Sequence, residues 1–165
     1  MKDALAIHRL LLERETQHEI VRLPSQISSA VELPSVLGLP PSRCMVTRIY
    51  ACDLWQLVAV IVQAGTEPNL SAVREAVGAL VIEPADVDTV NRETDYSAEL
   101  VAPLLLPDSM TVLVDQRFVD RLDVDDVVYT ATGEGSTALG IRSFDLWALS
   151  GAKPVNLARP LRSGT

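Results

Sequence analysis

The run Leu-Val-Ala-Val-Ile-Val at 57–62 constrains the fold more than any other feature of the chain. Six consecutive apolar residues leave no polar side for water, so a strand here must be covered on both faces, inside a sheet. The run is far shorter than the roughly 20 residues a membrane-spanning helix needs. Just before it stands SRCMVTRIYACD, Ser42 to Asp53, a second apolar stretch with polar residues interspersed. The pattern predicts two neighbouring strands, about 44–51 and 54–62, joined by a tight turn at Cys52-Asp53.

Shorter elements surround this pair. Ala4, Ile7 and Leu11 recur at helical spacing from Asp3 to about Gln17, with Asp3 as N-cap. HEIVRL at 18–23 alternates as a strand, and a short helix starts near Pro34 and ends at Gly38, a natural C′ residue. Asn69 or Ser71 caps a helix to about Ala79, LVI at 80–82 is a short strand, and residues 83–86 open a further helical segment. An irregular stretch leads to the strand TVLVD at 111–115. Two strands, about 126–131 and 137–141, then flank the turn TGEGS. Ser143 is expected to cap FDLWAL before Gly151, and KPVNLA makes a last strand. Strands and helices do not alternate strictly, and hairpin spacings recur. The expected architecture is α/β of the mixed α+β kind: a single domain over 1–157, a largely antiparallel mixed sheet with surrounding short helices, and a frayed tail at 158–165.

Charge and composition narrow the function classes. The chain has 165 residues, 48% of them apolar, and a net charge of −8. An acidic protein of this kind does not grip a phosphate backbone over a broad face. The N-terminal MKDALAIHRLLLERE carries charges throughout and no cleavage-site pattern, so a cytoplasmic protein is the default expectation. Twelve arginines stand against two lysines, Lys2 and Lys153, so lysine chemistry has two places to reside. Cys44 and Cys52 on one extended strand would lie about 26 Å apart, too far for a disulfide, and free thiols are expected.

Common chemical signatures fail in turn. TGEGSTALG lacks the Lys-Ser/Thr of a phosphate loop and leads into a strand, so it reads as a hairpin turn. His8 and His18 lie ten apart without a further Cys or His cluster, and read as surface or packing residues. DRLDVDD at 120–126 lacks the glycine and terminal glutamate of a calcium loop, and reads as a solvated turn. No cofactor or metal is called for.

Read in order, LGLPPSRCMVTRIY, TDYSAELVAP, TVLVDQRF and VVYTATGEGSTALGIRSFDL resemble the YbaK-type aminoacyl-tRNA deacylases, the editing domains associated with prolyl-tRNA synthetase. The resemblance spans roughly 18–157. Its markers are Leu37-Gly38, Thr47, Thr94 with Tyr96, Pro103, Val114-Asp115 and Asp145-Leu146. It implies hydrolysis of the ester of a mischarged tRNA, such as Ala or Cys on tRNA-Pro. The implied partners are the tRNA acceptor end and a synthetase that delivers it.

The resemblance also implies a site. Thr47 and Arg48 are its catalytic residues, and Ser29, Val46, Glu99, Val101, Ala102, Pro103, Asp115 and Gly133 its substrate-binding ones. Two positions depart from the family. Val46 stands where the family has a lysine, and Glu99 where its Gly-x-x-x-Pro loop has the glycine. Strand alternation puts Val46 and Arg48 on one face and Thr47 on the other. Arg48 therefore either contacts a phosphate in place of the lysine or pairs with an acidic residue at the sheet edge. Two readings of function follow: a divergent deacylase, or a catalytically silent relative that binds tRNA, an aminoacyl group or a protein.

Overall fold

Val58 to Val62 form the interior strand their composition demands, every one of them fully buried. Burying each Val or Ile side chain contributes about 1.5–3 kcal/mol, which makes this strand the axis of the core. The computed structural model of the chain describes residues 1–158, and the tail expected beyond lies outside them.

The elements run α1 (Ala4–Glu13), β1 (His18–Arg22), α2 (Leu33–Leu37), β2 (Met45–Cys52), β3 (Leu57–Gln63), α3 (Leu70–Val77), β4 (Ile82–Pro84), α4 (Val87–Thr94), β5 (Thr111–Asp115), α5 (Gln116–Asp120), β6 (Val127–Ala131), β7 (Thr137–Arg142), α6 (Ser143–Ser150) and β8 (Lys153–Val155). They build two sheets, a five-stranded one in the order β4-β2-β3-β5-β8 and a three-stranded one in the order β1-β7-β6. β2 pairs antiparallel with β3 and β4, and β7 with β1 and β6. Among the described strand pairs β3–β5 and β5–β8 are parallel, and an isolated parallel bridge joins Cys44 to Tyr129 of β6. The mixed, largely antiparallel architecture is the one the sequence predicts.

Two apolar clusters lie on opposite faces of the five-stranded sheet. Met45, Ile49, Ala59, Ile61, Val112 and Val114 join Ile7 and Leu11 of α1 and Leu146 of α6. Val46, Tyr50, Val58, Val60, Val62 and Leu113 join Leu33 of α2 and Val73 of α3. The strict alternation along β2 shows a regular strand.

Several expected boundaries shift for local reasons. α1 stops at Glu13 rather than Gln17, because Glu15 turns left-handed (φ 52°) and the Thr16 N–H closes back on the Leu11 carbonyl at 2.8 Å. The β2–β3 connection is not a tight turn at 52–53 but a 3-10 turn over Asp53–Trp55, so β3 begins at Leu57 rather than 54. The Asp53 carboxylate accepts the N–H groups of Leu80 and Val81 at 2.8 and 3.2 Å, which delays β4 to Ile82. Glu83 and Pro84 belong to that strand, and Asp86 caps the helix that follows. α5 goes unforeseen: Asp115, read as a strand end, also caps it. Ser143 is not the cap of α6; its hydroxyl donates to the Asp123 carbonyl at 2.9 Å.

Candidate functional site

Hydrogen-bond parity along β2 determines what faces its outer edge. The Ala85 N–H donates to the Ile49 carbonyl at 3.0 Å, and Ala51 pairs with Glu83, so odd-numbered residues direct their backbone groups toward β4. The even-numbered residues face β3, as the Cys52 N–H bonded to the Gln56 carbonyl at 2.7 Å confirms. β4 covers β2 only from Tyr50 to Cys52. The N–H and C=O of Thr47 therefore point to an edge that no strand pairs.

A cavity of about 170 Å³ opens along that edge. Val46, Thr47 and Arg48 line one side, Val87 and Val90 of α4 close another, and Ala98 and Glu99 reach in from the loop after α4. The walls are mostly small and apolar, with charge at two places. Arg48 pairs with Glu67 (Nη2 to Oε1, 2.9 Å), the sheet-edge partner weighed from sequence. Glu99 accepts a hydrogen bond from the Ser29 hydroxyl at 3.3 Å. Two buried polar atoms here have no partner, the Thr47 Oγ1 and the Arg48 Nε. Such orphans are uncommon in folded proteins; these two side chains lie on opposite faces of β2, and Asn91 Oδ1 and Thr130 Oγ1 share the state.

Larger hollows carry less chemistry. A groove of about 800 Å³ beside Leu54 and Trp55 is rimmed by Glu83, Asp86 and Glu93. A second, of about 390 Å³, is built around Leu105, Pro107 and Met110.

The structure brings Ser29, Val46, Thr47, Arg48 and Glu99 together and disperses the remaining candidates. Val101 and Ala102 are buried in the first apolar cluster. Pro103 lines the hollow of Leu105 and Met110. Asp115 is buried, with both oxygens held by the Arg117 guanidinium at 2.7 and 3.2 Å. That contact raises the Arg117 pKa and leaves Asp115 occupied as the cap of α5. Gly133 (φ 96°) serves a close approach, since a Cβ there would run into the Lys2 carbonyl and the Tyr96 ring.

Lys2, one of the two places open to lysine chemistry, has contacts that the sequence does not announce. Its ammonium donates to the carbonyls of Thr94 and Leu105 at 2.7 and 2.6 Å and lies 5.1 Å from the Tyr96 ring centroid. Desolvation lowers its pKa, against the opposing pull of Asp95. Contacts spanning 92 and 103 residues carry no local sequence signal, so nothing in the motif could have announced them.

The cysteines and histidines are accounted for without catalysis. Cys44 and Cys52 are free and buried. Burial pushes the Cys44 thiol up to about 11, and burial together with Asp53 raises that of Cys52, so neither is an activated nucleophile. His8 Nδ1 lies 2.8 Å from His18 Nε2, and His18 Nδ1 lies 2.7 Å from the Thr16 carbonyl oxygen, tying α1 to β1. Among the described residues no three potential metal ligands cluster, and no helix is long and apolar enough to cross a membrane.

Comparison with known proteins agrees with this architecture. Residues 24–158 match the family model described as an aminoacyl-tRNA editing domain. Among solved structures, hypothetical protein APE2540 superposes with a TM-score of 0.81 at 20% identity, covering 93% of this chain and 99% of that one. A candidate trans-editing enzyme for prolyl tRNA synthetase superposes with a TM-score of 0.78 at 17% identity, covering 93% and 95%. At such identities the likeness concerns the fold. No curated protein matches the chain.

Proposed function

Because the chain belongs to the aminoacyl-tRNA editing domain family, we propose that it hydrolyses the ester of a mischarged tRNA at the unpaired edge of β2. The observation that carries this reading is the cavity itself: largely apolar walls, two carboxylates in Glu67 and Glu99, one guanidinium in Arg48, and a backbone N–H offered by Thr47. A small aminoacyl side chain fits between Ile49, Val90 and Ala98, which supports Ala or Cys as the amino acid, and tRNA-Pro is the tRNA the family resemblance implies. Glu99 receives the substrate's α-ammonium. Arg48 exchanges Glu67 for a phosphate of the acceptor end, an exposed pairing that costs little to break.

In the reaction a water oxygen attacks the ester carbonyl carbon and the bond to the terminal ribose oxygen breaks. One water proton ends on that ribose oxygen; the other is released as the amino acid leaves as its carboxylate. The Thr47 N–H stabilises the oxyanion formed on the way, a contribution of about 3 kcal/mol for one well-placed donor. The remaining site candidates act at one remove: Val101, Ala102 and Pro103 support the loop that carries Glu99, while Asp115 and Gly133 hold neighbouring segments. The net charge of −8 limits contact to the acceptor end and fits delivery by a synthetase in the cytoplasm.

The absence of the family lysine at Val46 favours a second reading, a silent module that binds the same acceptor end. Incubation with a panel of mischarged tRNAs separates the two. Ester loss above the spontaneous rate supports hydrolysis; binding without release supports the silent module.

A further inference from the structure

The loop that brings Glu99 to the cavity is strained where it begins and where it ends. Asp95 (φ 60°) and Leu105 (φ 59°) both adopt the left-handed conformation that side chains other than glycine rarely take. Strain of this kind persists only where surrounding contacts overdetermine it. Here the contacts converge on one nitrogen. The Lys2 ammonium donates to the carbonyl of Thr94, just before the first strained residue, and to that of Leu105, the second.

A second closure lies inside the first. The Tyr96 hydroxyl donates to the Leu104 carbonyl at 2.6 Å, and the Tyr96 N–H donates to the Thr94 Oγ1 at 3.1 Å. Lys2 in turn is held in place. Its own N–H donates to the Asp95 carbonyl at 2.7 Å, and the lack of a Cβ at Gly133 lets its carbonyl pack against the hairpin turn. Residues 94–105 thus form a compact loop whose ends meet at a cation.

We propose that Lys2 is a positioning residue: its ammonium pins both ends of the 94–105 loop, so that Glu99 stands against the unpaired edge of β2. A lysine absent from the strand is in this way present in the architecture, acting through the loop rather than on the substrate. The catalytic consequence rests on the ester-hydrolysis reading above; the conformational one does not.

Hydrogen exchange read by mass spectrometry tests the pin directly. Lys2→Met keeps an apolar stem and removes the donors. We expect amides 97–102 to exchange about tenfold faster while those of α3 and β5 keep their protection. In deacylation, kcat/KM is expected to fall about tenfold, with Lys2→Arg recovering most of it by restoring a cationic donor. Should Lys2→Met prove unfolded, Tyr96→Phe removes only the inner closure and is expected to expose the same amides. Unchanged exchange at 97–102 in the folded variant, or acceleration spread evenly over the protein, overturns the proposal. If the wild-type protein releases no amino acid from any tRNA yet the loop loosens as described, the pin stands and the hydrolysis reading falls.

Discussion

Glu67 holds Arg48 at 2.9 Å across the mouth of the cavity, with the glutamate side chain 70% exposed and the arginine 26%. Water competes strongly for such a glutamate, so the pairing contributes about 0.2–1 kcal/mol at most. The arginine is therefore parked rather than locked, and a phosphate can displace the carboxylate.

Replacing Arg48 by Ala tests that exchange. The slope of log K against log salt for binding of a tRNA acceptor stem is expected to become shallower by about one charge. Glu67→Gln should tighten binding severalfold by freeing the guanidinium. Identical salt slopes for wild type and Arg48→Ala would show the arginine to be an edge-strand charge alone.

Thr47 is proposed to act through its backbone, since its hydroxyl is buried and without a partner. Thr47→Val exchanges an unsatisfied group for a methyl of the same shape. Urea unfolding is expected to show stability unchanged or higher by about 1 kcal/mol. Deacylation should stay within about threefold of wild type; a hundredfold loss would assign the chemistry to the hydroxyl instead.

Glu99 is expected to recognise a free α-ammonium. Wild-type protein should prefer an aminoacyl ester over its N-acetyl counterpart, and Glu99→Gln should shrink that preference about tenfold, the range of one charge-assisted hydrogen bond. An unaltered ratio of kcat/KM values removes Glu99 from substrate recognition.

Alkaline pH provides a readout of burial. The Cys44 thiol ordinarily ionises at 9.0 but is pushed up to about 11 by burial. The unfolded chain thus loses this proton first, and the folded state loses stability as pH rises from 9 toward 11. Urea midpoints measured at pH 8 and pH 10 should fall more steeply in wild type than in Cys44→Ala. Parallel declines would mean that burial of the thiol does not contribute.

Much of the fold can be read from the chain because its signals are local. The apolar run at 57–62, the cap at Asn69 and the left-handed glycines at 38 and 151 announce their elements within a few residues, whereas Gly78 ends its helix one residue before the expected Ala79. The edge at Thr47 is legible in part: alternation assigns the faces of Val46, Thr47 and Arg48. That β4 stops at Tyr50 depends on Pro84, its last residue, and on the turn into the helix that Asp86 caps, so the length of the open edge is set by where a distant segment leaves the sheet. Val101, Ala102 and Pro103 look like ligand contacts in a motif, yet packing turns the first two into the core. The contacts of Lys2 are invisible for the opposite reason, since its partners lie about a hundred residues away.

The cavity at the edge of β2 is proposed to select and cleave small aminoacyl esters. The most direct test is the rate of ester loss from Ala-tRNA-Pro beside that from Pro-tRNA-Pro under one set of conditions with the purified protein. Release from the alanyl ester should exceed the spontaneous rate and outpace the prolyl ester by about tenfold or more, as expected when a pocket of this size excludes a larger group. Spontaneous rates for both, or equal acceleration of both, would contradict the account.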